Sequence, residues 1–109
     1  MNPILLKNGV IVTETNILKG HSIIIKEGII DQIILSSKMI HNQDFTTVDC
    51  KNCYIMPGLI DIHSDSIEKI IVPRKGTKFS VDHALYDIDR QMICQGITSI
   101  YHSMTMANT

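Results

Sequence analysis

The chain has 109 residues, enough for one modest core, with a globular composition of 44% hydrophobic and 19% charged residues. That balance excludes a disordered chain, and a formal net charge of −1 excludes a surface field suited to nucleic acid or an anionic membrane. No apolar run approaches the roughly 20 residues of a membrane span, and Met1-Asn2-Pro3 carries no basic leader, so a cytoplasmic protein is expected.

The first half reads as short strands separated by Gly and Asn turns. Residues 4–7 and 10–13 flank Asn8-Gly9, a strong hairpin signal, and residues 22–26 and 29–35 flank Glu27-Gly28, a second one. Residues 46–49 form a fifth strand, and Lys51-Asn52 turns the chain into a sixth at 54–56. Paired hairpins of this kind predict a small antiparallel sheet or half-sandwich. Cys50 and Cys53 form a C-x-x-C, but with no second pair and no helix start beneath them they read as two small apolar residues in a strand-turn-strand stretch. His21 and His41 read as surface residues, and nothing in this half looks catalytic.

The texture changes at Pro57-Gly58. Residues 59–63 make a short apolar strand ending in Ser64-Asp65-Ser66, and a polar loop follows at 73–79. Ser80 is placed to cap a helix in which Val81, Ala84, Leu85, Ile88, Met92 and Ile93 recur at helical spacing. Gly96 stands where that helix should stop. Residues 97–102 form another apolar strand, so the second half predicts a parallel β-α-β unit. His83 should face solvent, while Met92, Met104 and Met106 read as core filler. One such unit leaves its strands uncovered, and a complete (β/α)₈ barrel takes roughly 250 residues, so the barrel reads as incomplete.

The chemistry gathers at His63 and Asp65. Two apart at the C-terminal end of a strand, they would point to one face about 6.5 Å from each other and could share a zinc, manganese or iron ion. Asp61, one step deeper on that face, could orient them. His102 ends the following strand and could approach the same place, as could Ser103 and Thr105.

Pro57-Gly58-Leu59-Ile60-Asp61-Ile62-His63-Ser64-Asp65 resembles the first barrel strand of the amidohydrolase superfamily, in which a small β-sandwich segment precedes P-G-x-x-D-x-H-x-H. Asp65 departs from the last His of that pattern. One branch, the triphosphate diphosphatases of phosphonate metabolism, carries His-x-Asp, an acidic-Lys pair and Pro-Arg. It is similar at residues 63–69, Pro73-Arg74 and Gln95-Gly96-Ile97-Thr98-Ser99. The resemblance implies an α/β fold: a small N-terminal antiparallel β-sandwich segment at residues 1–56, then the first β-α-β of a (β/α)₈ TIM barrel at 57–109. It covers essentially the whole chain but about a third of the family's length.

The activity implied is hydrolysis of a ribose methylphosphonate 5-triphosphate, a phosphorylated sugar phosphonate, to the 5-phosphate and pyrophosphate within the carbon-phosphorus lyase pathway. His63 and Asp65 would hold a divalent metal ion, while Arg74, Lys69 and Lys75 could neutralise phosphate oxygens. The remaining ligands and the general acid or base would lie beyond residue 109, so residues 1–109 alone are expected to be inactive. No nucleic-acid or membrane partner is expected, whereas exposed Ile-rich strands would favour homo-oligomers. Two other readings remain: an amidohydrolase acting on C–N bonds (deacetylase, deaminase or cyclic amidase), and a non-enzymatic truncated fragment. Asp65 in place of His, and Arg74 soon after the strand, argue against the first.

Overall fold

The computed structural model describes residues 1–39 and 43–105; His41 and Met106 lie outside the described residues. The chain divides into two units, Met1–Met56 and Pro57–Thr109.

The first unit holds β1 (Ile4–Lys7), β2 (Val10–Val12), β3 (Ile17–Leu18), β4 (His21–Lys26), β5 (Ile29–Leu35), β6 (Thr46–Asp49) and β7 (Tyr54–Ile55), with a 3-10 turn at Ser36–Lys38. These strands form a four-stranded sheet in the order β5-β4-β1-β6 and a three-stranded sheet in the order β3-β2-β7. The expectation of an antiparallel sheet is corrected here. β1 pairs parallel with β6, and β2 pairs parallel with β7, so both sheets are mixed.

The reason lies at Asn8-Gly9. Rather than closing a hairpin, this pair carries the chain from one sheet to the other, with Asn8 at φ +57°. A Cβ on Gly9 would come within 2.6 Å of Ile55 Cγ1, a close approach only glycine allows. The link between β6 and β7 makes the same change of sheet alongside it, which sets both pairs running in one direction. Glu27-Gly28 does join an antiparallel pair, β4 with β5.

Leu5, Ile11, Ile23 and Ile24 are buried in this unit. Ile23 and Ile24 are consecutive and therefore point to opposite faces, so β4 is covered on both sides, as its β-branched sequence suits. The buried Ser22 hydroxyl is paired with Ser36 Oγ at 2.8 Å.

The second unit contains β8 (Leu59–Ser64), α1 (Ser66–Ile71), α2 (Val81–Ile93) and β9 (Ile97–His102), with β8 and β9 paired parallel. α1 falls where sequence periodicity gave no helix, since six residues are too few to display a face. Ser80 caps α2 by accepting the His83 N–H at 3.2 Å, and α2 stops before Gly96, which takes φ +78°. Ile67 and Ile71 of α1 pack with Ala84 of α2, and Ile88 is 1% exposed.

Val81, Leu85 and Ile93, apolar positions at helical spacing, are exposed, because α1 covers only part of the apolar stripe of α2. Met104 is likewise exposed rather than core filler, as it lies beyond the end of β9. Among the described residues, no helix is long and apolar enough to cross a membrane.

Candidate functional site

The C-terminal ends of β8 and β9 lie side by side: Ser64 pairs with His102, and the Ser103 N–H donates to the Ser64 carbonyl at 2.7 Å. This register brings residues 63–65 and 102–103 to one end of the parallel pair, where α/β folds carry their chemistry. Ser64 is buried and its Oγ accepts the Ser66 N–H at 3.3 Å, whereas its neighbour His63, on the other face of the strand, is exposed.

The strand ends at Ser64, one residue earlier than a shared His63–Asp65 strand face requires. Asp65 is the N-cap of α1, with φ −105° and ψ +10°, so its carboxylate leaves the chain at the strand-to-helix bend. Asp65 and Glu68 have the spacing of a capping box. Yet Asp65 makes no side-chain cap hydrogen bond and remains exposed, so its oxygens are open to a ligand.

Glu68 is engaged elsewhere: its carboxylate accepts both the N–H of Thr105 and, at 3.4 Å, the Thr105 hydroxyl. Glu68 thus ties the segment after β9 back to α1. Sequence reading missed this role: Asp65-x-x-Glu68 ahead of Ile70-Ile71 is a helix-start pattern that points to α1 and not to Thr105.

Asp61 is half-buried, and its Oδ1 accepts the His63 N–H at 3.1 Å. It fixes the backbone that carries His63, with Oδ2 left for a second contact. At the end of β9, His102 Nδ1 is buried with no hydrogen-bond partner among the described residues. An unpaired buried nitrogen costs desolvation energy, so it marks a place where a polar group is wanted.

The cationic candidates are exposed and stand apart. Lys69 is one turn along α1 from Asp65, in its last turn. Arg74 bridges Thr77 across the turn at Gly76: its Nε donates to Thr77 Oγ1 at 3.1 Å and its carbonyl accepts the Thr77 N–H. Among the described residues the outer guanidinium nitrogens have no partner, and Lys75 follows in the same turn. Among the described residues, no hydrogen bond or ion pair links Lys69, Arg74 or Lys75 to His63 or Asp65. A groove of about 370 Å³ between α2 and β9 is lined by Asp89, Arg90, Ile93 and Ile97, among others, and by none of the site candidates.

An imidazole and a carboxylate at a strand end are a donor set that suits a divalent cation. Among the described residues, no group of three or more His, Cys, Asp or Glu side chains gathers to hold one. Two donors fit half of such a site.

No family model matches the chain. A curated relative, the alpha-D-ribose 1-methylphosphonate 5-triphosphate diphosphatase of Escherichia coli (strain K12), is 26% identical over 61 residues, which are 56% of this chain and 16% of that protein. A solved amidohydrolase superposes with a TM-score of 0.67 at 24% identity, covering 92% of this chain and 25% of its own. A prolidase complexed with N-methylphosphonate-L-proline gives 0.66 at 17% identity, with the same coverage of each chain. The fold seen here is therefore the fold of one quarter of each of those proteins, and this chain spans a minor part of the length of every one of these relatives.

Proposed function

We propose that this chain, which resembles the N-terminal portion of amidohydrolase-superfamily proteins in motif and in fold, supplies the first metal ligands of a hydrolase acting on a phosphoanhydride. In this reading β8 and β9 are the first two strands of a (β/α)₈ barrel, and His63 and Asp65 hold a divalent cation together with donors from later strands. The observation that carries it is the Asp65 carboxylate, exposed beside His63 at the end of a parallel strand and unused as a helix cap. A cation bound there would polarise a phosphoryl oxygen and make a bound water acidic. Asp61 holds the His63 backbone in place, and the buried Nδ1 of His102 offers a polar contact at the neighbouring strand end. Arg74, with its outer nitrogens free, is suited to a phosphate oxygen pair, and Lys69 and Lys75 to single oxygens.

The substrate proposed is α-D-ribose 1-methylphosphonate 5-triphosphate, cleaved to the 5-phosphate and pyrophosphate. Support comes from His-x-Asp followed by Glu68-Lys69 and Pro73-Arg74, and from the curated relative of that activity. A second reading, hydrolysis of a C–N bond, is favoured by the two structural neighbours, an amidohydrolase and a prolidase, which match 92% of the chain. Incubating the whole protein and a divalent metal with the triphosphate and, separately, with dipeptide and cyclic-amide substrates distinguishes them. Pyrophosphate release alone supports the diphosphatase; amide cleavage without pyrophosphate would replace it.

A further inference from the structure

Two thiols stand at the corner of the first unit, where the chain passes from β6 in one sheet to β7 in the other through Cys50-Lys51-Asn52-Cys53. The Cys53 N–H donates to the Cys50 carbonyl at 2.8 Å, and Lys51 and Asn52 take φ values of +49° and +66°. Two successive positive φ values inside such a bond make a type I′ turn. A β-turn of this kind holds its first and last Cα atoms within about 7 Å of one another. A disulfide spans roughly 4.4–6.8 Å between Cα atoms, so the pair lies within its reach. Spacing alone leaves the two cysteines as apolar filler, because an extended link of the same length would hold them too far apart.

The turn is fixed from outside as well as within. Cys50 N–H donates to the Lys7 carbonyl at 2.8 Å, Asn52 N–H to the Asn8 carbonyl at 2.7 Å, and Val10 N–H to the Cys53 carbonyl at 2.9 Å. The Asp49 carboxylate accepts the Lys51 N–H at 3.0 Å. Both cysteines are free thiols, Cys53 exposed and Cys50 half-buried.

We infer that Cys50 and Cys53 form a dithiol redox site that closes to an intrachain disulfide by exchange with a small oxidised disulfide, such as glutathione disulfide. The exposed Cys53, as thiolate, attacks one sulfur of the oxidant and expels one thiolate, leaving a mixed disulfide. Cys50, as thiolate, then attacks Sγ of Cys53 and expels the second. The two protons lost by the cysteines go to the two released thiols, and two electrons pass from the protein to the oxidant. The product staples the corner where the two sheets exchange the chain. This chemistry is independent of the strand-end pair in the second unit.

Trypsin cuts after Lys51, between the two cysteines, which gives a direct test. The whole protein is incubated with glutathione disulfide, blocked with a maleimide, digested and weighed without reduction. Residues 39–51 and 52–69 should remain joined until a reductant separates them, while Cys94 carries maleimide or a single glutathione. Cys94→Ser should leave the cross-link unchanged, and Cys50→Ser should leave Cys53 as a glutathione adduct. Separate peptides in the native protein, each with its own adduct or maleimide, or cross-links running to Cys94 or between chains, would overturn the site.

Discussion

The Asp49 carboxylate shows how one side chain can fix a corner. The Lys51 N–H, and after it the Asn8 side-chain amide, hold its carboxyl below the usual carboxylate range. A carboxyl depressed in the folded state contributes stability above its unfolded pKa and loses it as pH falls through the folded value. The thermal midpoint of wild type should therefore exceed that of Asp49→Asn at neutral pH, and the gap should close as the pH drops below the ordinary carboxylate range. A gap that stays constant into acid would contradict the role.

Gly58 is a steric case. A Cβ there, just ahead of β8, would sit 2.6 Å from Thr98 Cβ, an atom held in place by the β9 backbone. Gly58→Ala should cost about 1–3 kcal/mol in urea unfolding, and Thr98→Gly should recover part of the loss. At this scale the sequence was informative where a residue type has one use. Ser80 was legible as a cap and residues 59–63 as a strand, but the strand-to-helix bend at Asp65 was not; nor was the bond of Glu68 to Thr105, with 37 residues between them.

Among the elements, α2 was readable because thirteen residues show their periodicity and carry a cap. Ser80→Ala should destabilise the second unit by about 1 kcal/mol, measured by denaturant unfolding, as loss of an N-cap oxygen usually does. The eight strands read from sequence are present, and β4 with β5 and β8 with β9 pair as expected, but the partners of β1 and β2 were misjudged. Asn8-Gly9 has the composition of a hairpin turn, yet it joins strands in different sheets, and the parallel pairing of β1 with β6 depends on residues some 42 positions apart. Local turn chemistry fixes φ at a residue; it does not decide which strand lies alongside. The two-residue β3 carried too little pattern to be read at all.

For the whole molecule, the decisive feature is the apolar surface left open on both faces of β8 and on β9. Leu59, Ile60 and Tyr101 are exposed, and Ile62 is 80% exposed, although parallel strands are ordinarily buried on both faces. The 109-residue chain should therefore self-associate as its concentration rises, and Ile62→Lys should shift it towards monomer in sedimentation or light scattering; equal association by both would contradict this.

In the proposed reading His63 and Asp65 are cation ligands, and Asp61 supports them. Metal content and affinity of the whole protein, measured by mass spectrometry of bound metal and by competition with a chelator, test it most directly. His63→Ala and Asp65→Ala should each strip the bound cation, and Asp61→Asn should weaken its affinity about 10–100-fold while circular dichroism stays unchanged. Full metal content in the His63 and Asp65 variants, with the fold intact, would mean that this pair holds no cation.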